Sequence, residues 1–400
     1  MTSLYLDNNA TTAVDPLVMA AMEQSYRDTP ANPASQHQAG QQARQAIDTA
    51  RHGIASTLGA SLQDRQDQLL FTSGATESNN LAILGLAGVE PGKIVISSIE
   101  HPSLLGPAEH LRRSGWELEL ISVDSNGIVD LNHAAELITP GTRLVSLMLG
   151  NHETGAIQPV SEIAVICQSA GVPLHTDATQ VVGKIPVDFN ALQVDSLSFS
   201  AHKFHGPPGI GGLLMKQGLD LHPVFYGGFQ QAAYRPGRES PALATGMWCA
   251  LEICSKNATQ HENELAQCRD QFEQQLQERL PWVIIICQAG PRLPHTSNIA
   301  FPGIDRQALM MALDQGGLAC STGSACASGS SDPSPVLLAM GLEDEVVGGA
   351  LRFSFGRFNK LQESSRAAEI VATTASRLRG SNPSEKRGSQ SPQQGDKQLQ

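Results

Sequence analysis

The sequence predicts an α/β fold: a large domain with a mostly parallel seven-stranded sheet, joined to a smaller α+β domain. Seven short apolar runs alternate with helical stretches, and this alternation requires crossover connections with helices on both faces of the sheet. The 400 residues exceed one compact domain, because a domain typically holds about 100–200 residues. The pattern changes after about Leu219, which indicates a second domain.

The first convincing helix begins near Ser35. Apolar residues recur there every three or four positions up to Leu58, and Gly59 ends the run. The predicted strands of the large sheet are 68–72, 93–97, 117–123, 143–149, 172–176, 194–200 and 210–215. Helices are predicted over 76–87, 103–113, 130–137 and 160–170. Ligands bind at the carboxyl ends of parallel strands, so the loops that follow these strands are the candidate site.

The second half of the chain predicts the smaller α+β domain. Its elements are a polar helix over roughly 250–280, strands at 283–287 and 297–301, a helix from Asp305 and a last strand at 351–355.

We expect the N-terminal dozen residues to complete this smaller domain. The large domain is then residues 15–250, and the small domain is residues 1–14 with 251–380. Residues 381–400 are rich in Ser, Gln, Gly and charged residues, and they predict a disordered tail.

Composition and charge exclude several classes of function. The 39 acidic and 27 basic residues give a net charge of −12, which repels nucleic-acid backbones and anionic membrane surfaces. No apolar run approaches the ~18 residues of a membrane span, and the N-terminus lacks the features of a secretory signal. Seven scattered cysteines, an odd number, favour free thiols in a reducing cytoplasm over a disulfide framework.

A turn with small and hydroxyl-bearing residues joins the first strand to the next helix. Gly74, Ala75 and Thr76 lie at this turn, where free backbone N–H groups and the helix dipole favour an anion. An ordinary capped turn explains the same residues, and for this motif alone it is the favoured interpretation.

Two charged residues follow later strands of the same sheet. Asp177 ends a strand that otherwise reads as buried, and Lys203 follows another strand end before a Gly/Pro turn. Asp177 alone is equally compatible with a helix cap, and a lone lysine is usually a surface residue. Together with the anion-binding turn, they are the groups that pyridoxal phosphate requires: phosphate donors, an acid beside the ring nitrogen and an amine.

Residues 319–335 are mostly small and include Cys320 and Cys326. Such a segment predicts a mobile loop, on which a thiol can ionise and reach other groups. Two cysteines are too few ligands for a metal site, so no metal is expected. Incidental cysteines remain the alternative, more so for Cys320 than for Cys326.

Several motifs in order resemble the cysteine desulfurases of the NifS/IscS type, within the class V aminotransferase-like enzymes of fold type I. They are Tyr5–Thr12, Phe71–Asn80, Glu100–Ser103, Asp177–Gln180, His202–Lys203, Ser324–Cys326 and Arg352–Ser354. The resemblance covers about residues 4 to 379, and the spacing around Cys326 resembles that of group I enzymes.

The resemblance implies a homodimer that binds pyridoxal 5'-phosphate and takes sulfur from L-cysteine, giving L-alanine and a persulfide on Cys326. A protein acceptor, such as an iron–sulfur scaffold or a sulfur carrier, would receive the sulfur for cluster assembly or tRNA thiolation. Lys203 would carry the cofactor covalently, and His101 would stack on its ring and move protons. The other implied cofactor contacts are Gly74, Ala75, Thr76, His152, Asp177, Gln180, Ser200, His202 and Arg238, and the implied substrate contacts are Asn32 and Arg352.

Two positions depart from the family pattern. His152 stands where the family usually has a second asparagine, and imidazole can still donate a hydrogen bond there. Arg238 stands where the family has a threonine whose hydroxyl reaches the phosphate held by the partner subunit. The alternatives are another class V enzyme, such as a selenocysteine lyase or an aminotransferase, and a catalytically degenerate sulfur-handling partner.

Overall fold

A computed structural model describes residues 4–63, 66–323 and 332–380. Its strands are β1 (Leu4–Tyr5), β2 (Asp67–Thr72), β3 (Lys93–Ser97), β4 (Glu117–Ile121), β5 (Thr142–Ser146), β6 (Leu174–Asp177), β7 (Ser196–Ser200), β8 (Gly211–Lys216), β9 (Ile284–Ile285), β10 (Thr296–Ala300), β11 (Leu318–Ala319) and β12 (Ala350–Ser354).

The helices fill the intervals between these strands. They are α1 (Pro16–Asp28), α2 (Gln38–Thr57), α3 (Ala75–Leu86), α4 (Pro102–Arg113), α5 (Leu131–Leu137), α6 (Val160–Ala170), α7 (Phe189–Leu192), α8 (Pro241–Lys256), α9 (Ala258–Arg279), α10 (Arg306–Gln315), α11 (Pro335–Ala339), α12 (Asp344–Gly348) and α13 (Leu361–Gly380).

The large sheet has seven strands in the order β2-β8-β7-β6-β5-β3-β4. Strands β7, β6, β5, β3 and β4 run parallel to one another, whereas β8 is antiparallel to both β2 and β7. As a result β2 runs in the same direction as β7, and the carboxyl ends of β2, β3, β5, β6 and β7 lie at one edge. The predicted mostly parallel seven-stranded sheet is confirmed.

Alternate residues of the strands enter two separate cores. Leu69 and Phe71 pack with α2, α6 and α8 on one face, while Leu70 packs with α3 and α4 on the other. Such two-sided burial explains why the strands read as continuous apolar runs in the sequence.

A third core lies in the second half of the chain, where β10 pairs with β9 and β12. Leu4 and Leu6 are buried in this core, and β1 pairs with β11 in parallel. The N-terminal residues therefore pack with elements that follow them by about three hundred positions.

The polar helical stretch predicted over roughly 250–280 is helical, but it consists of parts of two helices. Helix α8 already begins at Pro241. The helical conformation is interrupted at Asn257, whose backbone torsions (φ −133°, ψ 39°) are not helical. Asparagine is a poor residue for a helix interior because its side chain competes for backbone hydrogen bonds. The apolar periodicity continues past the break, so periodicity alone could not locate it.

Candidate active site

The loops after β2, β3, β5, β6 and β7 enclose a cavity of about 440 Å³, here called the first cavity. Ten of the predicted site residues line it: Gly74, Ala75, Thr76, His101, His152, Asp177, Gln180, Ser200, His202 and Lys203. They come together because the strands that precede them end at the same edge of the sheet.

The turn between β2 and α3 forms one end of the first cavity. Gly74 is the N-cap of α3, and no side chain caps the helix there, which leaves its first N–H groups for a ligand. The backbone of β8 approaches closely behind the turn: a Cβ on Gly211 would lie 2.7 Å from Gly74 Cα. This arrangement suits a phosphate group.

Glu77 lies beside this turn and is neutralised by an arginine. Arg235 Nε donates to Glu77 Oε1 at 2.6 Å, and Ser73 N donates to Oε2 at 2.6 Å. Burial alone would raise the pKa of Glu77, but these hydrogen bonds lower it below its usual value. The pairing reduces the repulsion that an anion at the turn would otherwise meet.

Asp177 is buried at the end of β6. Its Oδ2 accepts a hydrogen bond from Asn79 Nδ2 at 2.8 Å, and its Oδ1 accepts one from Thr179 N at 2.9 Å. Both donors are neutral. A protonated ring nitrogen in the first cavity would therefore give this carboxylate a partner of opposite charge, as a buried carboxylate requires.

Lys203 reaches from the turn after β7 to the N-terminal segment. Its Nζ donates to Asn9 O at 2.5 Å and to Ala10 O at 3.0 Å. These carbonyls hold the amine at the edge of the first cavity. Burial and the charge of Lys203 lower the pKa of the neighbouring His202 to about 4, so that imidazole is neutral at physiological pH.

Two histidines that line the first cavity are in contact with each other. The rings of His101 and His152 are in edge contact, with centroids 5.0 Å apart. His101 also caps α4, because its Nδ1 accepts from Ser103 N at 3.1 Å. Burial lowers the pKa of His101, and burial together with the nearby charges lowers that of His152 much further.

Buried polar atoms around the first cavity lack protein partners. Among the described residues, His152 Nδ1, Gln180 Oε1 and Asn79 Oδ1 make no hydrogen bond. Unpaired buried polar atoms are costly, so such atoms beside a cavity indicate a polar ligand.

The remaining predicted site residues lie elsewhere. Arg352 does not line the first cavity; its Nη1 donates to His152 O and its Nη2 to Asp7 Oδ1, each at 2.8 Å. Asn32 and Arg238 line a second cavity of about 630 Å³. Cys326 lies outside the described residues.

Several residues of the site were missed by the sequence reasoning. Asn79 orients Asp177, Asp7 pairs with Arg352, and Met148 lines the first cavity. A signal existed for Asn79, because this polar residue lies one turn before the apolar Ala82 and Ile83 and therefore shares their face of α3. No comparable signal marks Met148, since its position depends on tertiary packing.

Two further surveys cover the described parts of the chain. Within residues 4–63, 66–323 and 332–380, no three or more His, Cys, Asp or Glu side chains are placed to hold a metal ion. None of the helices in these ranges is long and apolar enough to cross a membrane.

This fold and site define the class of protein. Residues 4–366 match the family model described as Aminotransferase class-V, and the chain belongs to that family.

Its relatives within the family are cysteine desulfurases. The chain is 39% identical to a cysteine desulfurase of Sinorhizobium fredii, over 96% of this chain and 99% of that protein. It is similar in structure to a NifS-like protein from Rickettsia africae (TM-score 0.84, 31% identity, 94% of this chain, 99% of that one). It is also similar to SspA in complex with cysteine (TM-score 0.75, 30% identity, 89% and 100% covered). The NifS-type resemblance is confirmed.

Enzymes of this family depend on pyridoxal 5'-phosphate. The uncapped turn at Gly74 suits the phosphate, Asp177 suits the ring nitrogen, and Lys203 supplies the amine. The residues present therefore fit the cofactor.

Proposed function

We propose that this protein is a pyridoxal-phosphate-dependent cysteine desulfurase in which Cys326 receives the sulfur of L-cysteine. The sulfur leaves Cβ and bonds to the thiolate of Cys326, giving a persulfide, and protonation at carbon gives L-alanine. The sulfur is formally oxidised as Cβ is reduced, so the reaction requires no external oxidant. The observation that supports it best is the placement of Asp177, Lys203 and the uncapped α3 N-terminus around one cavity.

Each side chain of the first cavity has a role in this reaction. The bound cofactor withdraws electrons from the substrate carbons. Lys203 holds the cofactor and takes up or returns a proton at Nζ. Asp177 keeps the ring nitrogen protonated, and Asn79 orients its carboxylate. His101, neutral because burial lowers its pKa, accepts or donates a proton beside the ring.

The choice of thiol rests on the six cysteines that the structure describes. Burial raises the pKa of every one of them, to about 12 for Cys167 and Cys320. None of the six lines the first cavity. A thiol must ionise to attack sulfur, so Cys326 is the remaining candidate among the seven cysteines.

A homodimer accounts for the second cavity. Asn32 and Arg238 line it together with Arg51 and Glu239. Lys203 is not among its lining residues. The chain nearby carries Tyr226 and Phe229, which are 86% and 93% exposed. We assign Arg238 to the phosphate held by the partner subunit, and Asn32 and Arg352 to the substrate carboxylate.

The cellular setting and the domain boundaries remain predictions. Scattered cysteines favour the cytoplasm, and the acceptor would be a protein such as an iron–sulfur scaffold or a sulfur carrier. The separate cores of the two halves support a large domain of residues 15–250 and a small domain of residues 1–14 with 251–380.

Turnover of L-cysteine tests this function. With pyridoxal phosphate and dithiothreitol, we expect alanine and sulfide in equal amounts, and Cys326→Ser should abolish both. Cys320→Ser is the matched control and should retain both. Alanine release by Cys326→Ser at the wild-type rate would contradict the role of Cys326, and transamination without sulfide would indicate an aminotransferase instead.

A further inference from the structure

Glu153 is a buried carboxyl next to the first cavity, and the reaction described above does not use it. It lies in the turn after β5, directly after His152. Its backbone N donates to Asn151 Oδ1 at 2.9 Å, and its carbonyl accepts from Asn298 Nδ2 at 3.2 Å. The turn is therefore rigidly held, with the carboxyl group at a fixed position.

The Glu153 carboxyl lies beside both described ends of the segment that carries Cys326. Ser334 Oγ donates to Glu153 Oε2 at 2.6 Å, and Ser334 is fully buried as the N-cap of α11. On the other side, a Cβ on Gly323 would lie 2.8 Å from the same Oε2. Gly323 directly precedes residues 324–331, and Ser334 follows them closely.

The same residues connect to the first cavity. His152 Nε2 lies 3.6 Å from Glu153 Oε1, and His152 lines the cavity. Two residues before Gly323, Ser321 exchanges two backbone hydrogen bonds with Arg352, at 3.1 and 2.7 Å. Arg352 in turn donates to His152 O. Glu153 therefore lies between Gly323 and Ser334, on either side of the segment, and His152, which lines the cavity.

We propose that Glu153 is a positioning residue that fixes both ends of the Cys326 segment relative to the first cavity. The inference rests on the proposed function, because it concerns delivery of the Cys326 thiol to the substrate sulfur. Glu153 accepts the Ser334 hydrogen bond and occupies the space in which a side chain at position 323 would lie. Neither contact requires a negative charge, and burial raises the pKa of this carboxyl.

Two substitutions of Glu153 test the role. Glu153→Ala should lower kcat on the order of 10- to 100-fold, since misplacement by about 1 Å has effects of that size. KM for cysteine and the visible absorbance of the bound cofactor should stay unchanged, because neither depends on the thiol. Glu153→Gln retains an acceptor for Ser334 and should restore most of kcat. Persulfide on Cys326, measured by mass spectrometry in a single turnover, should form correspondingly slowly in Glu153→Ala.

Gly323 offers an independent test with a matched control. Its φ of +88° resembles the +71° of Gly341, and a Cβ on Gly341 would meet nothing within 4 Å. Both Gly323→Ala and Gly341→Ala carry the same kind of backbone strain, but only the first places a methyl group against Glu153. We expect both variants to lose thermal stability, and kcat to fall for Gly323→Ala alone.

The outcomes separate this proposal from the proposed function. Wild-type kcat in Glu153→Ala would overturn the positioning role, and equal loss in Glu153→Gln and Glu153→Ala would indicate a charge or proton-transfer role instead. Equal kcat in the two glycine variants would also contradict it. Cys326→Ser is assayed in parallel: if it still forms a persulfide, the proposed function fails, whatever Glu153 does.

Discussion

The two cavities differ in how their polar groups are satisfied. Around the first cavity, Asp177 and Lys203 are held by neutral donors and backbone carbonyls of the same chain. Around the second, Arg51 pairs with Asp48 at 2.5 Å and with Glu239 at 2.7 Å, while Arg238 is exposed. Asp177 and Lys203 are paired within one chain, whereas an exposed cation and exposed aromatic rings lie beside the second cavity.

The difference separates two kinds of site residue. Residues at strand ends are placed by the sheet, so one chain is enough to assemble them. Asn32 and Arg238 lie on connecting segments that line the second cavity, so a role for them in the active site requires the surface of a second subunit. Predicted site residues that line the same cavity as Lys203 are placed by the fold of one chain. Asn32 and Arg238, which lie away from Lys203, are the residues whose role we assign to the dimer.

Replacement of Lys203 should have the largest effect and tests the first cavity directly. Lys203→Ala removes the amine, so turnover should fall on the order of 10⁴-fold or more, and the visible absorbance of the bound cofactor should change. Steady-state kinetics and absorbance spectra measure both. Lys216→Ala, at the far end of β8, is the control and should behave as wild type. Sustained turnover by Lys203→Ala would mean that another amine serves.

Asp177→Asn should be the next most damaging change. The amide keeps one acceptor oxygen but loses the negative charge opposite the ring nitrogen, so we expect kcat to fall roughly 10²- to 10³-fold. The control is Asp188→Asn, because Asp188 caps α7 through Ala191 N and asparagine also caps helices. If Asp177→Asn retained full kcat, the carboxylate would not act on the ring.

The packing behind the first cavity predicts a pH dependence of stability. His205 Nδ1 bonds to Ala13 O and its Nε2 accepts from Arg357 N, so a second proton would remove the acceptor. Burial lowers its pKa from 6.5 to about 4. Between these values the unfolded chain binds more protons, so stability falls as pH drops from 6.5 to 4, by roughly 3 kcal/mol for this group.

Urea denaturation at pH 7, 5 and 4 measures this loss. His205→Gln cannot titrate and should reduce the pH dependence over that range, leaving the part due to other buried histidines such as His202, whereas the exposed His52→Gln should not change it. Parallel profiles for His205→Gln and the wild type would show that His205 is not the group responsible.

Arg238→Ala should have the smallest effect and sharpens the assignment of the second cavity. If Arg238 reaches the partner's phosphate, loss of a charged hydrogen bond should raise the cofactor dissociation constant about tenfold. Fluorescence titration of the apoenzyme measures it, with sedimentation to verify the dimer. Arg44→Ala changes the same cavity and should leave cofactor affinity unaltered. Equal affinities in both variants would remove Arg238 from the cofactor contacts.

The sequence was sufficient for the sheet and for the chemistry at its edge. Apolar runs of the right length predicted all seven strands. Asp177 and Lys203 were identifiable because a charged residue at the end of a buried strand needs a partner or a function. The family and activity inferred from the ordered motifs are confirmed by the relatives.

Long-range contacts were beyond the sequence. Nothing local indicates that Asp7 pairs with Arg352, or that Glu153 meets Ser334, because 345 and 181 positions separate these partners. The interruption of the helix at Asn257 was not predicted for a related reason. Packing maintains the apolar periodicity on both sides of Asn257, so the pattern does not reveal the interruption. The segment around Cys326 lies outside the described residues, so its thiol stays a prediction.

The antiparallel strand β8 limits how this enzyme can be redesigned. Gly211 brings bare backbone against the rear of the turn at Gly74, and any larger residue there would push the turn forward. An engineer who wants the protein to accept a vitamer without its phosphate cannot fill the vacated volume from behind. The new bulk has to come from residues that line the cavity, such as Thr76 and His202, which makes those two positions practical starting points for a library.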